Sequence, residues 1–240
     1  MALMESKVYS RKKTARLAGL LYLIWIISGL YGMFYVPSKI NMRGEAVTAA
    51  QNILSNEFLF RTGIINDLIS GTIWMFMVLI LYRLFKSVNE RQAKLMVAFV
   101  IVQIPTVFVI EAFNITSLMI FKGELLKTFE VSQREDLAML FQKMNDYVVL
   151  ALGIYWGLWL FPLGILVYRS GFLPRFLGAW LLINGFSLLV LTFTGILLPQ
   201  YKDMVFKISF PAMLGEVVFM LWLLIKGAKN NIPTITNAPI

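Results

Sequence analysis

The chain has 240 residues, with 22 Lys and Arg against 13 Asp and Glu, no His and no Cys. Apolar residues make up 59% and charged residues 15%, where a soluble domain carries about 25% charged. Mean hydropathy is +0.75. One water-soluble domain cannot hide that much apolar surface, so the composition specifies an integral membrane protein. Without His or Cys there is no disulfide, no thiol chemistry, no imidazole base and no zinc site of the His/Cys kind. The net charge of +9 does not point to nucleic acid, because the basic residues cluster at the ends of apolar segments, where they encode topology.

In chain order, residues 1–16 form a basic N-terminal segment and 17–226 a transmembrane domain. Its spans are predicted at about 17–36, 63–85, 95–121, 147–168, 176–198 and 208–225, each near the roughly 20 apolar residues needed to cross hydrocarbon. The run LLYLIWIISGLYGMFYV shows no alternation of the kind barrel strands need. The expected fold is therefore all-α, a bundle of six transmembrane helices. The first apolar run is too long for a signal peptide and no A-x-A-like site follows, so it is expected to be a retained span. Residues 227–240 are polar with two prolines and are expected to be a disordered tail.

Charge orients the bundle. Lys7, Arg11, Lys12, Lys13, Arg16, Arg83, Lys86, Arg91, Lys94, Arg169, Arg175, Lys226 and Lys229 fall on one side, against only Glu5 and Glu90. On the other side, Lys39, Arg43, Arg61, Lys122, Lys127, Arg134, Lys143, Lys202 and Lys207 are nearly balanced by acids. The positive-inside rule then places both termini in the cytoplasm.

Both long extracytoplasmic loops read as amphipathic helices. In the first, Val47, Ala50, Ile53 and Leu54 recur at helical spacing between Glu45 and Glu57. In the second, Ser132 and Glu135 have the spacing of a capping box. From there Leu137, Leu140, Phe141, Met144 and Val148 form an apolar stripe, which predicts an extension of the fourth span or a surface helix meeting it near Asn145 and Asp146. The tight RSGFLPR turn has Pro174 placed to start the fifth helix.

Ionisable groups within spans are costly and point to function by default. Those here are Asp67, Glu111 and Glu216, accompanied by Asn66, Gln103, Asn114 and Asn184, with Asp146 at the head of the fourth span. Glu111 and Asn114 stand one turn apart on the third helix. Most of these groups fall in the outer half of the bilayer, which predicts a polar cavity open to the outside. Arg61 at its mouth is available to pair with Asp67 or with an anionic ligand. The competing reading is interhelical hydrogen-bond glue, worth about 0.6 kcal/mol per pair. Gly153 and Gly157 form a G-x-x-x-G spacing that permits close helix approach. Trp156, Trp159 and Tyr155 read as packing or interface anchors. No P-loop, GxSxG, HExxH or Rossmann glycine pattern occurs, and no tight Asp/Glu spacing supports a metal site, so no cofactor, metal or catalytic residue is assigned.

The stretches ARLAGLLYLIWIISGLYG, FRTGIINDLI, LYRLFKSVN and YWGLWLFPLGILVYRSGFLPRFLG resemble the bacterial multi-pass membrane family catalogued as domain of unknown function 4386. The likeness runs from about Ala15 to Lys226. Arg61, Asp67, Trp156, Pro162, Gly171, Pro174 and Arg175 stand where the family pattern puts them. The resemblance implies a protein of the bacterial inner membrane and supplies no activity, substrate or catalytic residue. The expected partners are the lipid bilayer and a small molecule or lipid head group. The leading expectation is a non-enzymatic binding or transport module with a protonatable carboxyl. The alternatives are an accessory subunit packing through Gly153 and Gly157, and a membrane-embedded enzyme using Asp67 and Glu111 as acid and base.

Overall fold

A computed structural model describes residues 2–42 and 44–229, with side chains from residue 11 onward. Arg43 and the tail from residue 230 lie outside the described residues. Six helices among the described residues are long and apolar enough to cross a membrane, and none of those residues forms a strand. The spans are Arg11–Lys39, Glu57–Phe85, Glu90–Phe121, Val131–Arg169, Arg175–Leu197 and Pro199–Ile225. At most 44% of any span's most apolar window is buried inside the protein. The outward faces are correspondingly greasy: Ile27, Phe58, Phe186 and Ile208 are all more than half exposed. Such a surface is stable against lipid and not against water.

Sequential spans are neighbours. The first packs on the second, the second on the third, and so on to the sixth, which closes back on the first. The axis of this ring is filled by aromatic side chains. Trp25 stacks on Trp74 at 5.2 Å, Trp74 meets Trp159 edge-on at 6.0 Å, and Tyr22 lies against Trp159 at 6.2 Å and Phe219 at 6.1 Å. Trp159 thus serves as core, as expected of a packing residue, and is 1% exposed.

The fourth and fifth spans approach most closely through glycine. A Cβ on Gly157 would stand 2.7 Å from the Gly185 carbonyl oxygen, and one on Gly178 would stand 2.6 Å from that of Gly164. Gly153 faces the Thr192 hydroxyl on the same partner helix. Gly153 and Gly157 are therefore spent inside the chain, against its own fifth span. The sequence spacing identified a close approach correctly, but the accessory reading had directed it at another protein.

Proline sets the breaks. A proline ring removes one N–H and clashes with the carbonyl four residues back. Helix Glu90–Ile101 accordingly stops four residues before Pro105 and resumes as Ile104–Phe121, and helix Val131–Leu158 stops four before Pro162 and resumes as Leu160–Arg169. The first span carries a π-helical stretch, Tyr31–Tyr35.

The loops follow the expected pattern with corrections of detail. The first amphipathic segment is helix Ala46–Ser55. It buries Ala49, Ala50 and Ile53, while Val47 and Leu54 point outward, so the docked face is one residue rotated from the predicted stripe. The second loop takes the extension form, because the fourth span runs unbroken from Val131 past Asn145 and Asp146. Its capping box is formed by Glu130 and Gln133 in place of Ser132 and Glu135, with the Glu130 N–H donating to Gln133 Oε1 at 3.1 Å. A longer acidic side chain caps there because the helix begins one residue before Ser132. Pro174 caps helix Arg175–Leu197. Residues 227–229, assigned to the tail, are packed: the Lys229 N–H donates to the Phe172 carbonyl at 2.9 Å.

Filling the glycine contact is therefore costly. Gly157→Ala and Gly178→Ala should each lower stability in detergent by about 1–3 kcal/mol, the usual range for overpacking. Gly29, with nothing within 4 Å of its Cβ position, is the control. Gly29→Ala should be neutral or mildly stabilising in the same thermal-unfolding assay.

Candidate functional site

Two polar clusters lie within the spans. The larger crosses four helices. On the first and second spans, the Ser28 hydroxyl donates to Asn66 Oδ1 at 2.8 Å, and Asn66 Nδ2 donates to the Ser28 carbonyl at 3.0 Å and to Asp67 Oδ1 at 2.8 Å. Asp67 fills space against Gly32, where a Cβ would collide with its carboxylate. That fit lies beside the π-helical stretch, whose Tyr31 hydroxyl also shares a hydrogen bond with Thr62 Oγ1 at 2.7 Å. A π turn in this position agrees with the tendency of such bulges to occur at functional sites.

On the third and fourth spans, Asn114 Nδ2 donates to Glu111 Oε2 at 3.0 Å. The Asn114 carbonyl oxygen then accepts from Asn145 Nδ2 at 2.7 Å and from Gln142 Nε2 at 3.3 Å. The two halves face each other across the second and third spans: a Cβ on Gly71 would stand 3.6 Å from Val107 Cγ1, and Asp67 and Glu111 lie one turn beyond that contact on their antiparallel helices. Glu111 is 2% exposed, and its Oε1 has no hydrogen-bond partner. Asp67 is half-buried. From the helical rise, Asp67 lies about 15 Å in from the Glu57 end of its span and Glu111 about 15 Å from the Phe121 end of its own. The seam therefore sits in the half of the bundle away from the termini.

The second cluster is separate. Glu216 accepts from the Tyr22 hydroxyl and from Asn184 Nδ2, the latter at 3.1 Å, tying the sixth span to the first and fifth. Asn184 is fully buried and its Oδ1 is unpartnered. This group lies about 14 Å from the Ile225 end of the sixth span, level with the aromatic plug.

Of the predicted site residues, the structure brings together Asp67, Glu111 and Asn114. It places Glu216 with Tyr22 and Asn184 instead. Asp146 lies on an exposed face while its neighbour Asn145 turns inward. Arg61 forms its ion pair with Glu57, one turn back, at 2.8 Å, and does not reach toward Asp67. Glu57 also pairs with Lys122 at 3.2 Å, and Lys122 with Glu124 at 3.0 Å, so this end of the second and third spans carries an exposed charge network. Glu124, and then Glu57, hold the Lys122 ammonium above the usual lysine range. Among the described residues, no group of three His, Cys, Asp or Glu could hold a metal.

Sequence reasoning passed over Ser28, Tyr22 and Gln142. Gln142 and Asn145 stand at i and i+3 on a span-forming helix, and that spacing was a readable signal. A serine or tyrosine inside an apolar run carries none, because either is common in packing.

The family model for the domain of unknown function (DUF4386) matches residues 17–227. The chain belongs to that family. An uncharacterised protein from Archaeoglobus fulgidus is 38% identical over 84 residues, which cover 35% of this chain and 49% of that protein. The chain thus spans about half the length of the curated relative it matches. No solved structure matches.

Asn114 is the joint of the larger cluster. The Asn114–Asn145 pair should show a coupling of about 0.6 kcal/mol, and no more than about 1.7, in a double-mutant cycle of unfolding in detergent. Asn114→Leu should cost more than Asn145→Leu, because it strips partners from Glu111, Gln142 and Asn145 together.

Proposed function

We propose that this protein is a binding or transport module of a prokaryotic cytoplasmic membrane, with the Ser28–Asn66–Asp67–Glu111–Asn114–Asn145 seam as its ligand site. The observation that carries the reading is the Glu111 carboxyl: 2% exposed, on the helix that faces Asp67, with one oxygen unpartnered. Glue alone does not require a carboxyl, since an amide would bond as well at lower cost. A carboxyl with a free oxygen is suited to a ligand, and its protonation would allow coupling to a proton gradient.

Both termini lie in the cytoplasm in this reading, supported by the basic residues gathered at that end. The seam then opens toward the outer face, and helix Ala46–Ser55, which packs on the third and fourth spans, lies over that end. The bacterial setting implied by the sequence resemblance and the archaeal relative both suit a cytoplasmic membrane. The accessory role loses its support, because Gly153 and Gly157 face the fifth span. The proximity of Asp67 and Glu111 favours a second reading, an enzyme with paired carboxyls as acid and base. Turnover of a labelled lipid that disappears in Asp67→Asn would establish it.

Native mass spectrometry of the purified protein tests the leading reading. The wild type should carry a defined small-molecule adduct that a folded Glu111→Gln variant lacks. An identical spectrum for the two proteins would contradict it.

A further inference from the structure

The charge inside the bundle is one-sided. Asp67, Glu111 and Glu216 are the ionisable residues engaged in the two interior clusters apart from Tyr22, and none of the hydrogen bonds in either cluster comes from a Lys or Arg. Four ion pairs among the described residues involve Glu57, Glu90 or Glu124, at helix ends. The chain has no histidine that could supply positive charge. Arg61, the residue that could have received an anionic head group, is instead paired with Glu57 and exposed.

Buried carboxylates are tolerated when a positive partner arrives to compensate them. Of the two carboxyls in the seam, Asp67 has Oδ1 held by Asn66, and Glu111 has Oε2 held by Asn114. Glu111 Oε1 has no donor although it is buried, and Asp67 lies at the same level on the facing helix, one turn beyond the contact of Gly71 with Val107. A polyvalent metal is a poor match, since no third acidic ligand stands nearby among the described residues. An anionic ligand would add like charge to the pair.

We infer that the occupant of the seam is a monovalent cation, sodium or a small organic ammonium, held between Asp67 and Glu111 with Glu111 Oε1 as its acceptor. The inference rests on the proposed binding function and adds the sign and valence of the ligand. Sodium and an ammonium share this chemistry, one positive charge for two carboxyls.

Dicyclohexylcarbodiimide, an apolar reagent that modifies carboxyls within membranes, tests it on the full-length protein in detergent. Peptide mapping should find the adduct on Glu111 in the wild type and in the Gly29→Ala variant, and not in Glu111→Gln. Sodium chloride or methylammonium chloride, each compared with choline chloride at equal ionic strength, should slow that labelling by about tenfold at ten times the Kd. Protection by one and not the other assigns the occupant. Protection by sodium phosphate or glycerol phosphate beyond that of sodium chloride would overturn the cation and leave the binding site standing. Labelling of Glu111 that no solute alters would also overturn the cation, and an adduct in the mass spectra would then be of another class. No labelling at Glu111 would mean a sealed carboxyl, and both readings would fall.

Discussion

In hydrocarbon no water completes a hydrogen bond, so every polar atom that enters a span must find its partner inside the protein. This constraint explains most of the interior. Asn66 reaches the first span, Asn114 gathers two donors from the fourth, and Tyr22 closes on Glu216 from across the ring. Several buried polar atoms nevertheless lack a partner, among them Gln103 Oε1, Ser117 Oγ, Asn184 Oδ1 and Glu111 Oε1. Of these, the Glu111 oxygen belongs to a carboxyl, the most expensive kind of group to leave unpartnered. The functional reading grows from that oxygen.

The ring divides its labour between two kinds of adhesion. On one side, the fourth and fifth spans close through Gly157, Gly164, Gly178 and Gly185, where backbones touch and no polar network is needed. On the other, side-chain amides and carboxyls join the first span to the second and the third to the fourth, in the half of the bundle away from the termini. Below that seam the aromatic plug of Trp25, Trp74, Trp159 and Tyr22 fills the axis. Breaks at Pro105 and Pro162 lie on the terminal side of the seam, so Glu111, Asn114, Gln142 and Asn145 remain on regular helix. The polar seam thus lies on the far side of the aromatic plug from the termini.

The spans were legible in the sequence because long apolar runs between basic clusters have few other meanings. Which helix faced which did not follow. Angular arithmetic places Glu111 and Asn114 on one face of their own helix, but ring closure decides that this face meets Asn145 and Asp67. The same gap explains why Glu216 was grouped with the seam although it bonds Tyr22 and Asn184. Its place near one helix end leaves Arg61 available to Asp67 or to an anionic ligand, yet Glu57, one turn away, is the partner it takes. Gly153 and Gly157 announced a close approach without saying whether the partner was internal.

The account stands on the seam being open to solutes from the face opposite the termini. The chain has no cysteine, so a single Asn145→Cys substitution gives an unambiguous reporter. A membrane-impermeant maleimide applied to intact cells, and separately to inverted vesicles, reads which face reaches that position. The account predicts labelling in intact cells and none in inverted vesicles, with Tyr22→Cys silent in both. Silence at Asn145→Cys from both faces, with labelling in denaturant as the control, would show a sealed seam that serves only to hold the helices together.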